Sequence, residues 1–323
     1  MPLARKLPHV FAAFVILTFA GCTPEQAKHP EPFVTEYGLG PDKWATAWLL
    51  SRRIEPQAGL LIVEPGQPLP SGRLFDLPDS PIRRQGNRSG FEVALESYSL
   101  DDPALQKLAD IVHDIEVNFW AHNKTAESAV VEHGYRELQL RHRRDAVAPD
   151  CYLTFFDSVY RALRNNLQAG VSLAFEDLHI DCSSPLSPAS ASLIAEVSIS
   201  HLLTEIYRGK RVEFVDVREP GEFEESHIPG AHNITLRDLD SEAIQRLKGA
   251  DYVVSYCVKD FRGFEMAKAI KQAGIQQSVI LKPYGIKGWV SSGLPTAGSK
   301  ALSNKEAQAQ LSTHIASMAS RAL

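Results

Sequence analysis

The stretch Ser255-Tyr256-Cys257-Val258-Lys259-Asp260-Phe261-Arg262-Gly263 decides how the C-terminal half of this 323-residue chain is interpreted. It begins inside the β-rich run Tyr252–Tyr256, which is long enough for a buried strand. From Gly263 to Ala273 apolar side chains recur at helical spacing, which predicts a helix. The lone cysteine, with an arginine five residues further on, is therefore predicted to lie at a strand-to-helix turn.

Such a turn favours anions, because backbone N–H groups of a helix N-terminus and of a curled loop point into one space. Lys259 and Arg262 add positive charge, and Arg262 can hold an oxyanion through two parallel hydrogen bonds. The same field is expected to lower the pKa of the Cys257 thiol, and the thiolate is the nucleophile. We therefore predict that Cys257 is catalytic; the alternative is a buried cysteine that acts as a small hydrophobic residue.

Further motifs accompany this turn along the chain. Asp216-Val217-Arg218 and His227-Ile228-Pro229-Gly230-Ala231 precede it, and Gly285-Ile286-Lys287-Gly288-Trp289 and Gly293-Leu294-Pro295 follow it. In order and spacing these segments resemble the rhodanese (sulfurtransferase) family over about residues 197–296. The resemblance implies a parallel sheet flanked by helices, and in such folds active sites lie at the carboxyl ends of the strands.

The resemblance also implies a reaction, a two-step exchange of sulfane sulfur. Cys257 would attack the outer sulfur of a thiosulfate-like donor and become a persulfide, which a thiol or cyanide acceptor would then discharge. Asp216, Arg218 and His227 would form a structural motif that braces the domain and the loop. The residues implied in binding the small sulfur-containing anion are those after the cysteine, namely Val258, Lys259, Asp260, Phe261, Arg262 and Gly263.

The loop after the cysteine matches and departs from the family at once. Cys257 and Arg262 show the C-x4-R spacing of its sulfurtransferases, whereas related phosphatases have a loop one residue longer. Asp260 and Phe261 stand where small residues are usual, because backbone amides curl more easily without bulky side chains. Since Asp260 also opposes anion binding, we expect weak activity on thiosulfate or a different donor.

The N-terminus predicts export. Two basic residues precede the apolar run Val10–Ala20, which is too short to span a membrane as a mature helix. The run ends in Phe19-Ala20-Gly21-Cys22, which resembles a bacterial lipobox. This implies a lipoprotein signal peptide, an acylated Cys22 that anchors the protein to the periplasmic face of a membrane, and, with Thr23 next, the outer membrane rather than the inner. The alternative is an ordinary secretory signal with an incidental cysteine.

Charge and cysteine content narrow the functional classes. Without residues 1–21 the formal net charge changes from −5 to −7, which makes nucleic acid a poor candidate partner. Four cysteines are present, and lipidation of Cys22 would leave three in an oxidising compartment. Cys151 and Cys182 form a disulfide or remain two buried thiols; spacing alone does not decide. A disulfide would leave Cys257 as the reactive thiol.

A second set of segments lies in the N-terminal half and includes Asp42-Lys43-Trp44-Ala45, Phe75-Asp76-Leu77-Pro78, Ser89-Gly90-Phe91-Glu92 and Phe156-Asp157-Ser158-Val159-Tyr160. Over about residues 42–165 these segments resemble, more weakly, the C-terminal domain of the ChrB-type chromate-resistance proteins. A cysteine expected before the Phe-Glu pair is absent, with Ser89 and Gly90 there instead, so the resemblance does not imply a thiol-based role for this domain.

Several polar residues of this domain are candidate ligands, although solvated or salt-bridged helix residues are the favoured interpretation. His113 and Glu116 lie three apart on one predicted helix and could share a metal, and Arg52 and Arg53 could receive an oxyanion. We predict no metal site and no cofactor. The candidates are Arg52, Glu92, His113, Glu116 and Asp157.

The predicted fold class is α/β, with a rhodanese-like parallel sheet after a mainly helical α/β domain. The protein is predicted to be a rhodanese-type, thiosulfate sulfurtransferase-like enzyme. The ChrB-like domain implies a link to chromate or oxyanion stress. The alternative is a non-catalytic lipoprotein that binds an oxyanion or senses redox state. The predicted segments are a signal peptide 1–21, a tether 22–40, a ChrB-like domain 41–167, a linker 168–192, a rhodanese-like domain 193–298 and a polar tail 299–323.

Overall fold

A computed structural model describes residues 30–118, 124–182 and 194–321 of the chain. The signal peptide and Cys22 lie outside these described residues. Within them, no helix is both long and apolar enough to cross a membrane. The fold is mixed α/β in two parts, as predicted: a mainly helical N-terminal domain with a small parallel sheet and a C-terminal domain built on a larger one.

The N-terminal domain wraps helices around a three-stranded parallel sheet of order β2-β1-β3. A π-helical segment, Leu49–Ile54, continues the first helix. The elements in chain order are β1 Phe33–Glu36, α1 Pro41–Trp48, β2 Leu60–Val63, β3 Arg73–Leu74, α2 Gly90–Ser97, α3 Pro103–Glu116, α4 Glu127–Arg141 and α5 Pro149–Ala169.

Buried aromatic and acidic side chains of α1 organise this domain. The Trp44 ring stacks on Tyr152 of α5 at a centroid distance of 4.4 Å, and the Trp48 indole N–H donates to Asp157 at 2.7 Å. The Asp42 carboxylate accepts from the first backbone N–H groups of α2, at 2.8 and 2.9 Å, where a helix favours negative charge. Helix α1 is thereby fastened to the helices on both sides of it.

The C-terminal domain is a five-stranded, all-parallel sheet of order β4-β8-β7-β5-β6 with helices on both faces. Asp216, the last residue of β5, pairs with Tyr256, the last of β7, so these neighbouring strands end level. The elements are β4 Ala195–Ser198, α6 Ile199–Tyr207, β5 Val212–Asp216, α7 Pro220–Glu225, β6 His232–Asn233, α8 Ser241–Leu247, β7 Tyr252–Tyr256, α9 Phe261–Gln272, β8 Ser278–Lys282, α10 Gly285–Ser291 and α11 Asn304–Arg321.

Three predicted boundaries differ from the structure, each because a weakly patterned segment packs against a folded domain. The predicted tether 22–40 contains the buried strand β1, which is the central strand of its sheet. The first part of the predicted linker 168–192 packs on the N-terminal domain and ends at Cys182, which is disulfide-bonded to Cys151 with 5.5 Å between Cα atoms. The predicted tail 299–323 contains α11, which contributes buried side chains to the core beside α6.

The two domains share a hydrophobic core. Phe261, Phe264 and Ala267 of α9 and Ile280 of β8 are buried in the same apolar cluster as the tryptophans of α1. The Phe261 ring meets Tyr135 of α4 edge-on, at a centroid distance of 5.7 Å. Helix α9 follows the predicted catalytic loop directly, so the N-terminal domain is packed against that loop.

Candidate active site

Cys257 directly follows β7, as the sequence predicts, and its side chain is fully buried. Helix α9 begins at Phe261 rather than at the predicted Gly263, so the loop is short and Arg262 stands in the first helical turn. Backbone N–H groups of Ile286 and Lys287 donate to the carbonyls of Cys257 and Val258, at 2.9 and 3.1 Å. The Gly-Ile-Lys-Gly-Trp motif, Gly285 to Trp289, therefore holds the cysteine loop in place through two backbone hydrogen bonds.

Gly285 makes this support possible. Its φ is +63°, and a Cβ there would lie 2.0 Å from the Lys259 carbonyl oxygen and 2.5 Å from those of Cys257 and Val258. A side chain would both strain the backbone and push the loop away. The glycine in this motif is thus explained by the close approach of α10 to the cysteine loop.

Asp216 and Arg218 form a buried ion pair beside the cysteine loop. Their side chains are fully buried, and two guanidinium nitrogens of Arg218 donate to the carboxylate at 2.6 and 2.9 Å. Arg218 also donates to the Ser226 carbonyl at 2.5 Å. His227 stacks on the Phe223 ring, and its Nδ1 lies 2.8 Å from the Phe223 carbonyl oxygen. All three residues therefore hold chain segments together.

Arg262 faces a carboxylate, Glu222 of α7, with 3.3 Å between Nη1 and Oε2. Arg84, from the loop before α2 in the N-terminal domain, approaches the same carboxylate at 3.2 Å. Burial by itself would raise the pKa of Glu222, but the charges of Arg262, Arg84 and Arg218 lower it to about 2. Glu222 is therefore a permanent anion between two guanidinium groups at neutral pH.

A second carboxylate of the same cluster behaves in the opposite way. Glu116, the last residue of α3, is buried, and its Oε2 lies 3.6 Å from Arg84 Nη2. Burial raises the pKa of Glu116 to about 7, although the charges of Arg84 and Arg262 act against this rise. Paired titratable groups whose pKa values are pushed apart are typical of acid–base sites.

The predicted lowering of the thiol pKa does not hold. Burial raises the pKa of Cys257; the Arg262 charge and a hydrogen bond from the Gly263 backbone N–H oppose this rise, and the charge of Glu116 adds to it. Arg262 and the Gly263 N–H act as expected, but the Cys257 side chain lies in an apolar cluster of its own domain with Val215, Val253 and Met266, and burial there disfavours the thiolate more strongly. Burial therefore favours the thiol form of Cys257.

The unusual residues in the loop serve domain docking. Asp260 is buried and pairs with Arg136 of α4 at 2.7 Å and with Arg144 just beyond α4 at 2.6 Å. Burial would raise the pKa of Asp260, but the charges of Arg144 and Arg136 lower it below its ordinary value. Lys259 likewise pairs with Glu132 of α4, at 2.7 Å. Asp260 is thus paired with two arginines, yet its charge still adds to the rise in the pKa of Cys257, in the direction that the sequence predicts for an acidic residue in this loop.

The predicted loop residues thus separate into three groups. Arg262 and Gly263 act on Cys257 electrostatically and through a hydrogen bond. Val258 is buried in the core of the C-terminal domain. The other three face the N-terminal domain, namely Lys259, Asp260 and Phe261.

The polar candidates of the N-terminal domain are not brought together as a site. His113 Nδ1 lies 3.0 Å from Glu92, and Glu116 faces Arg84, so His113 and Glu116 have separate partners. Arg52 is exposed. Asp157 accepts from the Trp48 indole. Among the described residues, no group of three or more His, Cys, Asp or Glu side chains is placed to hold a metal ion.

Sequence reasoning missed Arg84 and Glu222. Arg84 is one of several arginines in a loop of another domain, and no motif distinguishes it. Glu222 lies just after the Asp-Val-Arg-Glu-Pro segment, but a glutamate in a short helix has no distinguishing periodicity. Glu222 is recognised only once the fold places α7 beside Arg262, and Arg84 only once the two domains are docked.

Comparisons with known proteins agree with this arrangement. Residues 33–163 match the family model "ChrB, C-terminal domain", and residues 200–292 match the model "Rhodanese-like domain". Both predicted resemblances are confirmed, in the predicted order.

Individual relatives match one half of the chain each. Protein ChrB of Cupriavidus metallidurans is 36% identical over 87 residues, which cover 26% of this chain and 27% of that protein. The uncharacterized protein YqhL of Bacillus subtilis is 33% identical over 102 residues, or 31% and 79% of the two chains. The probable adenylyltransferase/sulfurtransferase MoeZ of Mycobacterium tuberculosis is 33% identical over 88 residues, or 27% and 22%. The chain spans 54%, 27% and 55% of the first three curated relatives it matches.

Proposed function

We propose that this chain, a member of the rhodanese-like family that also carries a ChrB C-terminal domain, transfers sulfane sulfur through a persulfide on Cys257. The observation that carries the proposal is the position of Cys257 directly after β7, with Arg262 in the first turn of α9. The Gly263 backbone N–H forms a hydrogen bond to the Cys257 sulfur. A thiol at this point faces the positive end of a helix and a fixed guanidinium group.

The proposed reaction has two displacement steps. The Cys257 thiolate attacks the outer sulfur of a thiosulfate-like donor; the new S–S bond forms as the donor's own S–S bond breaks, and its electron pair leaves with sulfite. An acceptor thiolate or cyanide then attacks the outer persulfide sulfur, and the electron pair returns to Cys257 as the thiolate. Loop N–H groups and Arg262 stabilise the departing anion in the first step.

Formation of the thiolate requires that a proton leave a thiol whose pKa burial raises. Glu116 is a suitable acceptor, because burial raises the pKa of its carboxyl to about 7 and its charge acts on Cys257. Cys257 is fully buried in an apolar cluster of the C-terminal domain, so a donor reaches it only when residues around the cysteine loop rearrange. Such a local opening is part of the proposed cycle.

The test is intact-mass spectrometry of the full-length protein, purified in detergent and incubated with thiosulfate. We expect a gain of one sulfur atom that a reductant reverses and that Cys257→Ala abolishes. The Cys151–Cys182 disulfide remains in the mutant, so it serves as the internal control for other sulfur chemistry. No mass gain with thiosulfate or with other sulfane donors would overturn the proposal.

The location and physiological context belong to the same proposal. The lipobox-like Phe19-Ala20-Gly21-Cys22 supports acylation at Cys22 and anchorage on the periplasmic face of a bacterial membrane, the outer one by the residue that follows. Incorporation of labelled palmitate that Cys22→Ser abolishes is the expected result. The ChrB C-terminal domain supports a link to chromate or oxyanion stress, which growth of a deletion strain on chromate would test.

One observation favours a second function, a non-catalytic lipoprotein that binds an oxyanion or senses redox state. Cys257 is fully buried and its thiol pKa is raised, which suits a protected thiol better than a fast nucleophile. Anion binding without any persulfide would support this second function.

A further inference from the structure

Arg84 reaches the candidate active site from the N-terminal domain. Its Nη2 donates to the Glu116 backbone carbonyl at 2.6 Å, which fixes the orientation of the guanidinium group. Its Nη1 lies 3.2 and 3.4 Å from the two carboxylate oxygens of Glu222. The side chain is 10% exposed, so this is a buried and directed cation.

Arg262 approaches the same carboxylate with its own fork. Its Nη1 and Nη2 lie 3.3 and 3.5 Å from the oxygens of Glu222. Charge-assisted hydrogen bonds between guanidinium and carboxylate are usually about 2.7–2.9 Å long. The four contacts that Glu222 makes with the two arginines are therefore all loose ones, and the carboxylate fits its two cations poorly.

The Nε of Arg262 is a further hydrogen-bond donor in this cluster. Its Nε is buried and has no hydrogen-bond partner within the part of the chain that the structure describes. Buried donors of this kind are rare in folded proteins and call for an acceptor. An anion that presents three or four oxygens could satisfy this Nε together with the outer nitrogens, which a carboxylate with two oxygens does not do.

The charges lead to the same conclusion. Arg84 and Arg262 contribute two positive charges, and Glu222 compensates one of them. Below pH of about 7 Glu116 adds little negative charge, because burial raises the pKa of its carboxyl to that value. The cluster then retains an excess of positive charge, which a bound dianion in place of Glu222 would balance.

We propose that Arg84 and Arg262 together form the binding site for the dianionic oxyanion of the reaction, and that Glu222 occupies this site until the anion displaces it. The ligand class is a tetrahedral sulfur oxyanion such as thiosulfate or sulfate. Identifying the ligand as the sulfur donor rests on the proposed function. The active site is thus composite, since the N-terminal domain supplies one of its two arginines.

The anion site formed by Arg84 and Arg262 is called the clamp below. Isothermal titration of the full-length protein with sulfate tests the clamp without any sulfur transfer. We expect Arg84→Gln to weaken sulfate binding at least tenfold, because one of two buried cations is lost. The matched control is Arg83→Gln, whose guanidinium donates to the Ser80 carbonyl and not to this cluster; its affinity should stay within twofold of the wild type.

Glu222→Gln separates a binding role from a structural one. Loss of the competing anion should strengthen sulfate binding at least threefold, whereas a residue needed only for folding would weaken it. Arg84→Lys keeps the charge but loses the fork, so an intermediate loss of affinity is expected. It also replaces Arg84→Gln if that variant does not fold, as judged by circular dichroism.

The dependence of Cys257 persulfide formation on thiosulfate concentration completes the test. We expect Arg84→Gln to need at least tenfold more thiosulfate for the same rate. If Cys257 takes up sulfur but Arg84→Gln has wild-type affinity for both anions, the clamp is overturned and the proposed function stands. If sulfate binds as expected and no persulfide forms, the clamp stands and the sulfurtransferase proposal fails. Absence of sulfate binding to the wild type overturns the clamp.

Discussion

Two aspartates of the C-terminal domain, Asp216 and Asp260, have similar surroundings and different roles. Asp216 is the last residue of β5, and Asp260 lies in the loop after β7, at the same edge of the sheet. Both are buried, and both are paired with arginine at 2.6–2.7 Å. Asp216 pairs with Arg218, two residues away, whereas Asp260 pairs with Arg136 and Arg144, 124 and 116 residues away. The first pair belongs to the fold of one domain, and the second joins two domains.

The comparison explains the unusual loop. A charged and an aromatic residue in the middle of the loop after Cys257 are unexpected when the domain is considered alone. Asp260 and Phe261 become docking residues once the N-terminal domain is present, because arginines neutralise the first and an aromatic cluster buries the second. The domain interface and the cysteine loop are therefore built from the same few residues.

We call the Asp216–Arg218 pair, which lies within one domain, the inner pair. Breaking it should have the largest effect on stability. Arg218→Ala leaves the Asp216 carboxylate buried without its partner, which typically costs about 3–5 kcal/mol. We expect a loss of that order in the free energy of unfolding by urea. The matched control is Arg237→Ala, because Arg237 forms an exposed pair with Glu219 and should cost less than about 1 kcal/mol. Equal losses in the two variants would contradict the distinction.

The interface also contains an acid that lacks so good a pairing, Glu116. Its pKa in the folded protein, about 7, lies above the ordinary value of 4.5, so the folded state binds the proton more tightly. The resulting stabilisation is complete below pH 4.5 and is lost as pH rises to about 7. Glu116→Gln should therefore stabilise the protein at pH 8, on the order of 3 kcal/mol, relative to the wild type.

Urea unfolding of both proteins at pH 5 and pH 8 measures this effect. The advantage of Glu116→Gln should be present at pH 8 and small at pH 5. Glu222 does not interfere in this range, since its lowered pKa of about 2 places its contribution below pH 4.5. A variant that is less stable than the wild type at both pH values would show that Glu116 is well paired after all.

Breaking the contacts of Asp260 with Arg136 and Arg144, which join the two domains, should have a smaller effect on stability and a distinct effect on the Cys257 thiol. Asp260→Asn removes the charge that holds Arg136 and Arg144, which we expect to cost about 2 kcal/mol. Because the N-terminal domain then holds the cysteine loop less firmly, Cys257 should become accessible more often and react faster with iodoacetamide, as measured by mass spectrometry. Asp251→Asn is the control, since Asp251 forms an exposed pair with Lys210. Unchanged alkylation of Asp260→Asn would show that docking does not protect the thiol.

Local patterns predicted much of the C-terminal domain. The run Tyr252–Tyr256 is the strand that was expected, and Cys257 lies at its carboxyl end. Strand β1 and helix α11 were missed, the first because four residues carry too little periodicity and the second because its apolar face is weak. Both are stabilised by packing against segments distant in sequence.

By itself, the sequence determined the strand that carries Cys257 and, through the two family resemblances, the order of the domains, the parallel sheet and the structural role of Asp216 and Arg218. The strand follows from a short-range pattern, and the position of Cys257 at its end follows from the order of residues along the chain. Only the tertiary structure decided the direction in which the thiol pKa shifts, the docking role of Asp260 and the approach of Arg84. Each of these depends on burial or on charges brought from another domain, and neither factor is encoded in the spacing of neighbouring residues.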